Sequence, residues 1–216
     1  MELTGAEDVF DTRPWDTAVN AVNCYDYAIG DFERQRNVKS TPGNRAGMNS
    51  NGLNFTTCKG LRERILSDNP KTVYYMPDAD KPCKPGYYRM MNFVSPNGGD
   101  FHFYKQIKAV RYKVKSGDTE QTISKFFRVP MSTIKNLNIK ANRVIVIPVN
   151  LWAHKQGWGA PPLLTDAKGK TIKDPRKASR NYPGLNYSRY CGCYGVRKDH
   201  AGSGSLSLPG LRSKNR

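Results

Sequence analysis

The sequence predicts an α+β fold: an antiparallel sheet preceded by an N-terminal helix that carries Cys24, and interrupted by a β-α-α-β module. Three observations predict it. Apolar residues at helical spacing begin at Cys24, directly behind Asn23, a residue suited to cap a helix. Two strand-like runs, residues 87–94 and 101–107, flank the turn-forming stretch SPNGGD and read as a hairpin. Residues 112–149 begin and end in strands, so their ends can sit together as an insert between neighbouring elements requires.

A length of 216 residues leaves room for one ordinary domain and a small satellite. Hydrophobic residues at 38% and aromatics at 11% supply a core and exclude a wholly disordered basic protein. No apolar run approaches the roughly 18 residues that a membrane crossing needs, so no span is expected. The opening MELTGAEDVFDTRPW has acids and no basic start before an apolar stretch, so no signal peptide is expected. Lys and Arg total 35 against 18 Asp and Glu, a net charge of +17. That charge calls for an anionic partner or a screening environment: nucleic acid, acidic polysaccharide, a membrane surface or an acidic neighbour in an assembly. Nucleic acid rests on charge alone, with no Arg-packed helix and no C-x-x-C finger behind it.

Taken in order, residues 1–14 form an acidic arm, extended up to Pro14 and Trp15. Over residues 15–32, Ala18, Val22, Cys24 or Tyr25, and Ala28 or Ile29 share one side at helical spacing. Asn23 can cap a shorter helix starting at Cys24 and stopping near Gly30. Residues 36–56 lack apolar periodicity and read as a long irregular loop. A helix over 58–68 turns Cys58, Leu61, Ile65 and Leu66 inward and ends before Pro70. From 70 to 110 the pattern is strand-like. Period two places Phe101, Phe103 and Lys105 on one face, with His102, Tyr104 and Gln106 on the other.

Residues 111–150 hold eight Lys or Arg against Asp118 and Glu120, for +6. After a short strand and turn, Ile123, Phe126 and Phe127 fall at helical spacing, and Pro130 stops that helix. Ser132 is the candidate cap of a second short helix, and residues 144–149 are an apolar strand. At about forty residues the module is too small to bury much surface alone. Residues 151–156 read as another strand, and 157–190 as turns with helical pieces around 175–180. Residues 189–196 are a final strand, and 199–216 a flexible basic tail.

The chemistry-bearing residues are few. Five cysteines, Cys24, Cys58, Cys83, Cys191 and Cys193, leave at least one thiol outside any intramolecular bridge. Cys191 and Cys193 are too close for an easy mutual bridge, and a zinc site would need Cys58 or Cys83 beside them. Buried free thiols are the expectation for most of the five, with no metal or cofactor. Cys24 at a helix start has a thiol whose pKa the helix dipole lowers, His102 could take its proton, and His154 could orient His102. Asn23 or the Cys24 backbone N–H could stabilise an oxyanion. Each also has an ordinary role: Cys24 as a core thiol, His102 as a half-buried sheet residue, His154 as a surface residue beside Trp152.

Residues 112–148, YKVKSGDTEQTISKFFRVPMSTIKNLN…VIVIP, resemble a LysM domain, the β-α-α-β module that binds N-acetylglucosamine-containing glycans such as peptidoglycan and chitin. The matching positions are Val114, Gly117-Asp118-Thr119, Ile123, Phe127, Val129, Leu137-Asn138 and Ile147-Pro148. The resemblance implies a glycan groove between Gly117, Asp118 and Thr119 on one wall and the stretch from Ile139 to Asn142 on the other. The chain departs from the pattern in NIKANRVIVIP, which lacks the longer loop and the usual Gly-Gln before the last strand. A LysM fold kept as a protein-binding surface is the alternative.

The surrounding chain resembles a papain-like cysteine-hydrolase group, the CHAP and NlpC-like proteins of bacteria and large DNA viruses. The resembling pieces are NCYDYAIGD (23–31), residues 81–106, LWAHK (151–155) and residues 174–196. This implies a discontinuous papain-like domain, 15–110 and 151–198, with 111–150 inserted, Cys24 as nucleophile, His102 as base and His154 as third member. It further implies a virion-associated subunit of a large DNA virus, of minor capsid type. Such a protein would assemble in the host cytoplasm with capsid proteins as partners, its arms held by neighbours. The other expectation is an active cysteine peptidase or amidase targeted to chitin or peptidoglycan-like glycan.

Overall fold

A computed structural model describes residues 1–16, 19–31, 40–48, 56–96 and 99–203. The fold is mixed α+β. In chain order the elements are β1 (Asp8–Phe10), α1 (Arg13–Asp16), α2 (Cys24–Ile29), α3 (Cys58–Asp68), β2 (Val73–Met76), β3 (Tyr87–Ser95) and β4 (Asp100–Lys113). There follow α4 (Glu120–Phe127), α5 (Met131–Ile134), β5 (Val144–Lys155), β6 (Pro162–Leu163), β7 (Asn181–Tyr182), β8 (Leu185–Asn186) and β9 (Arg189–Arg197). One sheet runs β2-β9-β3-β4-β5-β6, antiparallel throughout, with β1 added in parallel to β4.

β4 and β5 are longer than the sequence suggests. The strands expected at 101–107 and 112 onward are one strand of 14 residues, and those expected at 144–149 and 151–156 are one of 12. Their pairing extends from Tyr104↔His154 to Lys113↔Val144, with one irregularity between Ile107 and Ala109. Burial changes character along β5. Residues 144–151 alternate exposed and buried, as a half-solvated ladder does, whereas the last five are all buried. The outer halves of the two strands therefore close the β-α-α-β module, and the inner halves are the middle of the main sheet.

Helices α2 and α3 cover one face, where Tyr25, Ala28, Ile29, Leu61 and Ile65 pack on Met90, Val94, Phe101 and Phe103. The other face gathers Met91, Phe93, Tyr104, Trp152, Ile172 and Tyr187. In the module Ile123, Phe127, Ile134, Ile145 and Ile147 share a cluster with Ile107, Leu151 and Tyr27, so its core is continuous with that of the sheet.

Several expectations are corrected. Phe126 is 47% exposed: Phe126 and Phe127 are adjacent, about 100° apart around the helix, and Phe127 takes the inward place. Ser132 lies inside α5, whose N-cap is Pro130 without a side-chain hydrogen bond. Cys58 and Cys191 form a disulfide, while Cys24, Cys83 and Cys193 are free buried thiols, as expected for most of the five. The acidic arm does not hang free. Glu7 is fully buried, its carboxylate accepting from the Thr4 and Gly5 backbone N–H groups. Beyond it β1 pairs with Ile107, Ala109 and Val110, along the flank of β4 that β3 leaves after Lys105. Asp8 forms an ion pair with Lys105 at 2.8 Å.

The start of the tail also docks, with Ser203 N–H donating to Asp31 Oδ2 at 2.7 Å and Gly202 paired to the Asn69 side chain. The rest of the tail (204–216), Ala18 and most of the loop expected at 36–56 lie outside the described residues.

α2 begins at Cys24 for a local reason. Asn23 Oδ1 accepts from Tyr25 N and Asp26 N, Asp26 Oδ2 accepts from Asn23 N at 2.8 Å, and Gly30 closes the helix in the left-handed region at φ 79°. Asn23 Nδ2 also donates to Ser40 O at 2.6 Å. Asn23→Ala removes this buried cap and should lower unfolding free energy by about 1–2 kcal/mol in urea titration. Unchanged stability would contradict the capping role.

Candidate functional site

The β4–β5 register sets the site. Paired residues present side chains to one face, so His154 stands beside Tyr104, and His102, two residues along β4, joins them. The imidazoles meet with His102 Nε2 and His154 Nδ1 2.8 Å apart. Tyr187 stacks on His102 at 4.9 Å between ring centroids, and its hydroxyl donates to Asp100 Oδ2 at 2.9 Å. His154 Nε2 lies 2.9 Å from the Thr165 carbonyl oxygen.

These contacts fix the protons. A carbonyl only accepts, so His154 carries its proton on Nε2 and offers a lone pair at Nδ1. His102 must then donate from Nε2, which leaves the lone pair of its neutral ring on Nδ1. Burial keeps both rings neutral: it pushes His102 well below 6.5, aided by its neighbour, and His154 down to about 4 against the pull of the Thr165 hydrogen bond. The outcome is a lone pair at a defined atom, His102 Nδ1.

Cys24 approaches the same strand from α2, with Sγ 3.7 Å from the Phe101 carbonyl oxygen on the Phe101 and Phe103 face, whereas the His102 and His154 rings lie with Tyr104 on the opposite face. Cys24 is 3% exposed and His102 2%. His154, given as a surface residue in its ordinary role, is fully buried. Asn23, fully buried, uses its amide oxygen to cap α2 and donates one of its two amide N–H bonds to Ser40 O. One contributor escapes the sequence reading: Thr165 acts through its backbone and leaves no side-chain signature. Lys155 is buried on the opposite face with Leu151 and Ala153, an unusual place for a lysine.

In the module, the residues proposed for glycan contact shape the two loops. Asp118 Oδ2 accepts from Lys115 N and from the Tyr112 hydroxyl, both at 2.7 Å. Thr119 caps α4 through Thr122 N. Gly117 and Asn142 adopt φ of 85° and 66°, and Ile139 packs against the module core. A backbone pair, Val114 N to Arg143 O and Asn142 N to Val114 O, joins the loops at their base. Gly117, Thr119 and Asn142 remain exposed on the two loops.

Residues 112–148 match the LysM domain family, so a LysM domain is present within this chain. No curated protein and no solved structure matches the chain. Among the described residues no helix is long and apolar enough to cross a membrane, and no group of three or more His, Cys, Asp or Glu could hold a metal ion.

The buried histidines carry a pH consequence. The unfolded chain binds protons near 6.5 while the folded rings resist them, so stability falls as pH drops from about 6.5 toward 4. Each ring contributes at most about 1.4 kcal/mol per pH unit. Urea titrations across this range should show a shallower slope for the His102→Gln/His154→Gln double variant, and equal slopes would contradict the assignment.

Proposed function

We propose that this protein is a cysteine peptidase or amidase, on a papain-like scaffold, held by its LysM domain on N-acetylglucosamine-containing glycan. The observation behind it is the hydrogen-bond chain from Thr165 through His154 to His102, which leaves the Nδ1 lone pair of His102 open one residue along the strand from the Phe101 carbonyl that Cys24 meets. As Cys24 Sγ attacks an amide carbonyl carbon, its proton passes to His102 Nδ1. The same proton then goes to the departing nitrogen as the C–N bond breaks. Water, giving its proton to His102, cleaves the thioester and restores the thiol. His154 is a positioning residue in this scheme. A groove of ≈ 550 Å³ supports the link to the module: Tyr112, Phe126 and Phe127 line it from the LysM side, and Leu163 and Thr165 from the side of His154.

A second reading, a virion-associated subunit of minor capsid type that keeps the scaffold without catalysis, is favoured by the burial of Cys24 and His102. The N-terminal arm gives it no support, since that arm binds its own sheet.

Two measurements test the proposal. The purified protein should be retained on insoluble chitin or peptidoglycan, and Gly117→Val, which forces a branched side chain into a left-handed turn, should weaken retention several-fold. Cys24→Ala should retain binding and lose release of amines from peptidoglycan peptides. A Cys24 that iodoacetamide alkylates no faster than an ordinary thiol would end the hydrolase reading and leave the structural one.

A further inference from the structure

Cys191 and Cys193 are neighbours in sequence yet serve opposite faces of the sheet. At Gly192, with φ 155°, β9 bulges: Asn92 pairs with Gly192 and Phe93 with Tyr190, so Cys191 is the extra residue and the period-two alternation breaks. Cys191 turns to the face that α2 and α3 cover, where it is bridged to Cys58. Cys193 turns to the other face as a free thiol, flanked in the ladder by Met76 of β2 and Met91 of β3.

Cys83 reaches the same place from the loop between β2 and β3. It is buried, while Lys81, Pro82, Lys84 and Pro85 around it are exposed. The Tyr74 hydroxyl of β2 accepts from Lys84 N at 2.9 Å and ties that loop down. Three sulfurs then converge: Cys83 Sγ lies 3.3 Å, and Cys193 Sγ 4.0 Å, from Met76 Sδ.

We propose that Met76, Cys83 and Cys193 form a binding site for a soft monovalent metal ion, copper(I). The inference is independent of the hydrolase reading. Two thiolates with a thioether suit a soft ion, whereas zinc takes four N, O or S ligands and harder cations take oxygen. A metal about 2.3 Å from three sulfurs in one plane sets them about 4.0 Å apart. Met76 and Cys193 already have that separation. Cys83 has to give by several tenths of an ångström, and its exposed loop lets it move and gives the ion a way in. Methionine completes the set, so the site is distinct from any grouping of His, Cys, Asp and Glu alone.

Charge and protons also balance. Burial holds both thiols protonated, Cys193 pushed up to about 12, so uptake of one copper(I) releases two protons to solvent and leaves one net negative charge. Arg89 stands beside it. This fully buried residue pairs with Gly195, two positions from Cys193, and so is its diagonal neighbour across β3 and β9. Its guanidinium donates to Lys81 O at 2.7 Å, two residues before Cys83, and to Gln106 Oε1 and Glu2 O, all neutral oxygens. Its positive charge favours the thiolate at both cysteines; the buried Glu7 carboxylate, which opposes this at Cys83, is engaged by Thr4 and Gly5.

The test is titration of the full chain with copper(I) against a chromophoric copper(I) chelator, with ascorbate as reductant so that the Cys58–Cys191 bridge stays closed. One ion should bind per chain, and X-ray absorption should show three sulfurs at about 2.3 Å. Cys83→Ser, a loop substitution that spares the sheet, should lower affinity by about a hundredfold or more, and Met76→Leu, close in volume, by about tenfold. Cys24→Ala removes the remaining free thiol and should bind as the wild type does. No uptake, or uptake unchanged in Cys83→Ser, would overturn the inference. Two sulfurs at the metal with unchanged affinity in Met76→Leu would do the same, as would a Cys83–Cys193 disulfide found by mass spectrometry in place of the two thiols.

Discussion

The antiparallel ladder between β4 and β5 is the contact on which the rest of this molecule depends. One register, from Tyr104↔His154 to Lys113↔Val144, serves two purposes. Its outer part closes a LysM domain, and its inner part sets two histidines side by side in the main sheet. A slip of one residue would turn His154 to the α2 face and Lys155 to the histidine face, and would reverse the buried and exposed positions of the module together. The module and the site are therefore locked to each other by the same backbone hydrogen bonds. Their shared apolar cluster, with Ile107 and Leu151 beside Ile123 and Phe127, adds to that lock.

Within this frame burial does the chemical work. A histidine pair at the surface would exchange tautomers and protonate near neutral pH. Enclosed by Tyr104, Tyr187 and Trp152, and with Thr165 O accepting from His154, the pair is left one arrangement of protons that satisfies every partner.

Much of this was legible in the sequence because it depends on local periodicity. Period two assigned His102 to the face opposite Phe103, and the cap at Asn23 placed the start of α2. The strand ends of the 112–149 unit pointed to insertion. What escaped depends on long-range or main-chain contacts. The Cys58–Cys191 bridge spans 133 positions, and no spacing announces it. Thr165 contributes a carbonyl that any residue could supply. The arm was expected to be extended and held by neighbouring subunits, whereas the Glu7 carboxylate folds the chain back on itself and β1 pairs with β4.

The account stands most directly on where the protons of the two histidines lie. Long-range ¹H–¹⁵N correlation spectra of the ¹⁵N-labelled protein at pH 7 read this at each ring nitrogen. The account predicts two neutral rings, each protonated at Nε2 and bare at Nδ1. A proton on His102 Nδ1, or either ring as an imidazolium at that pH, would contradict it.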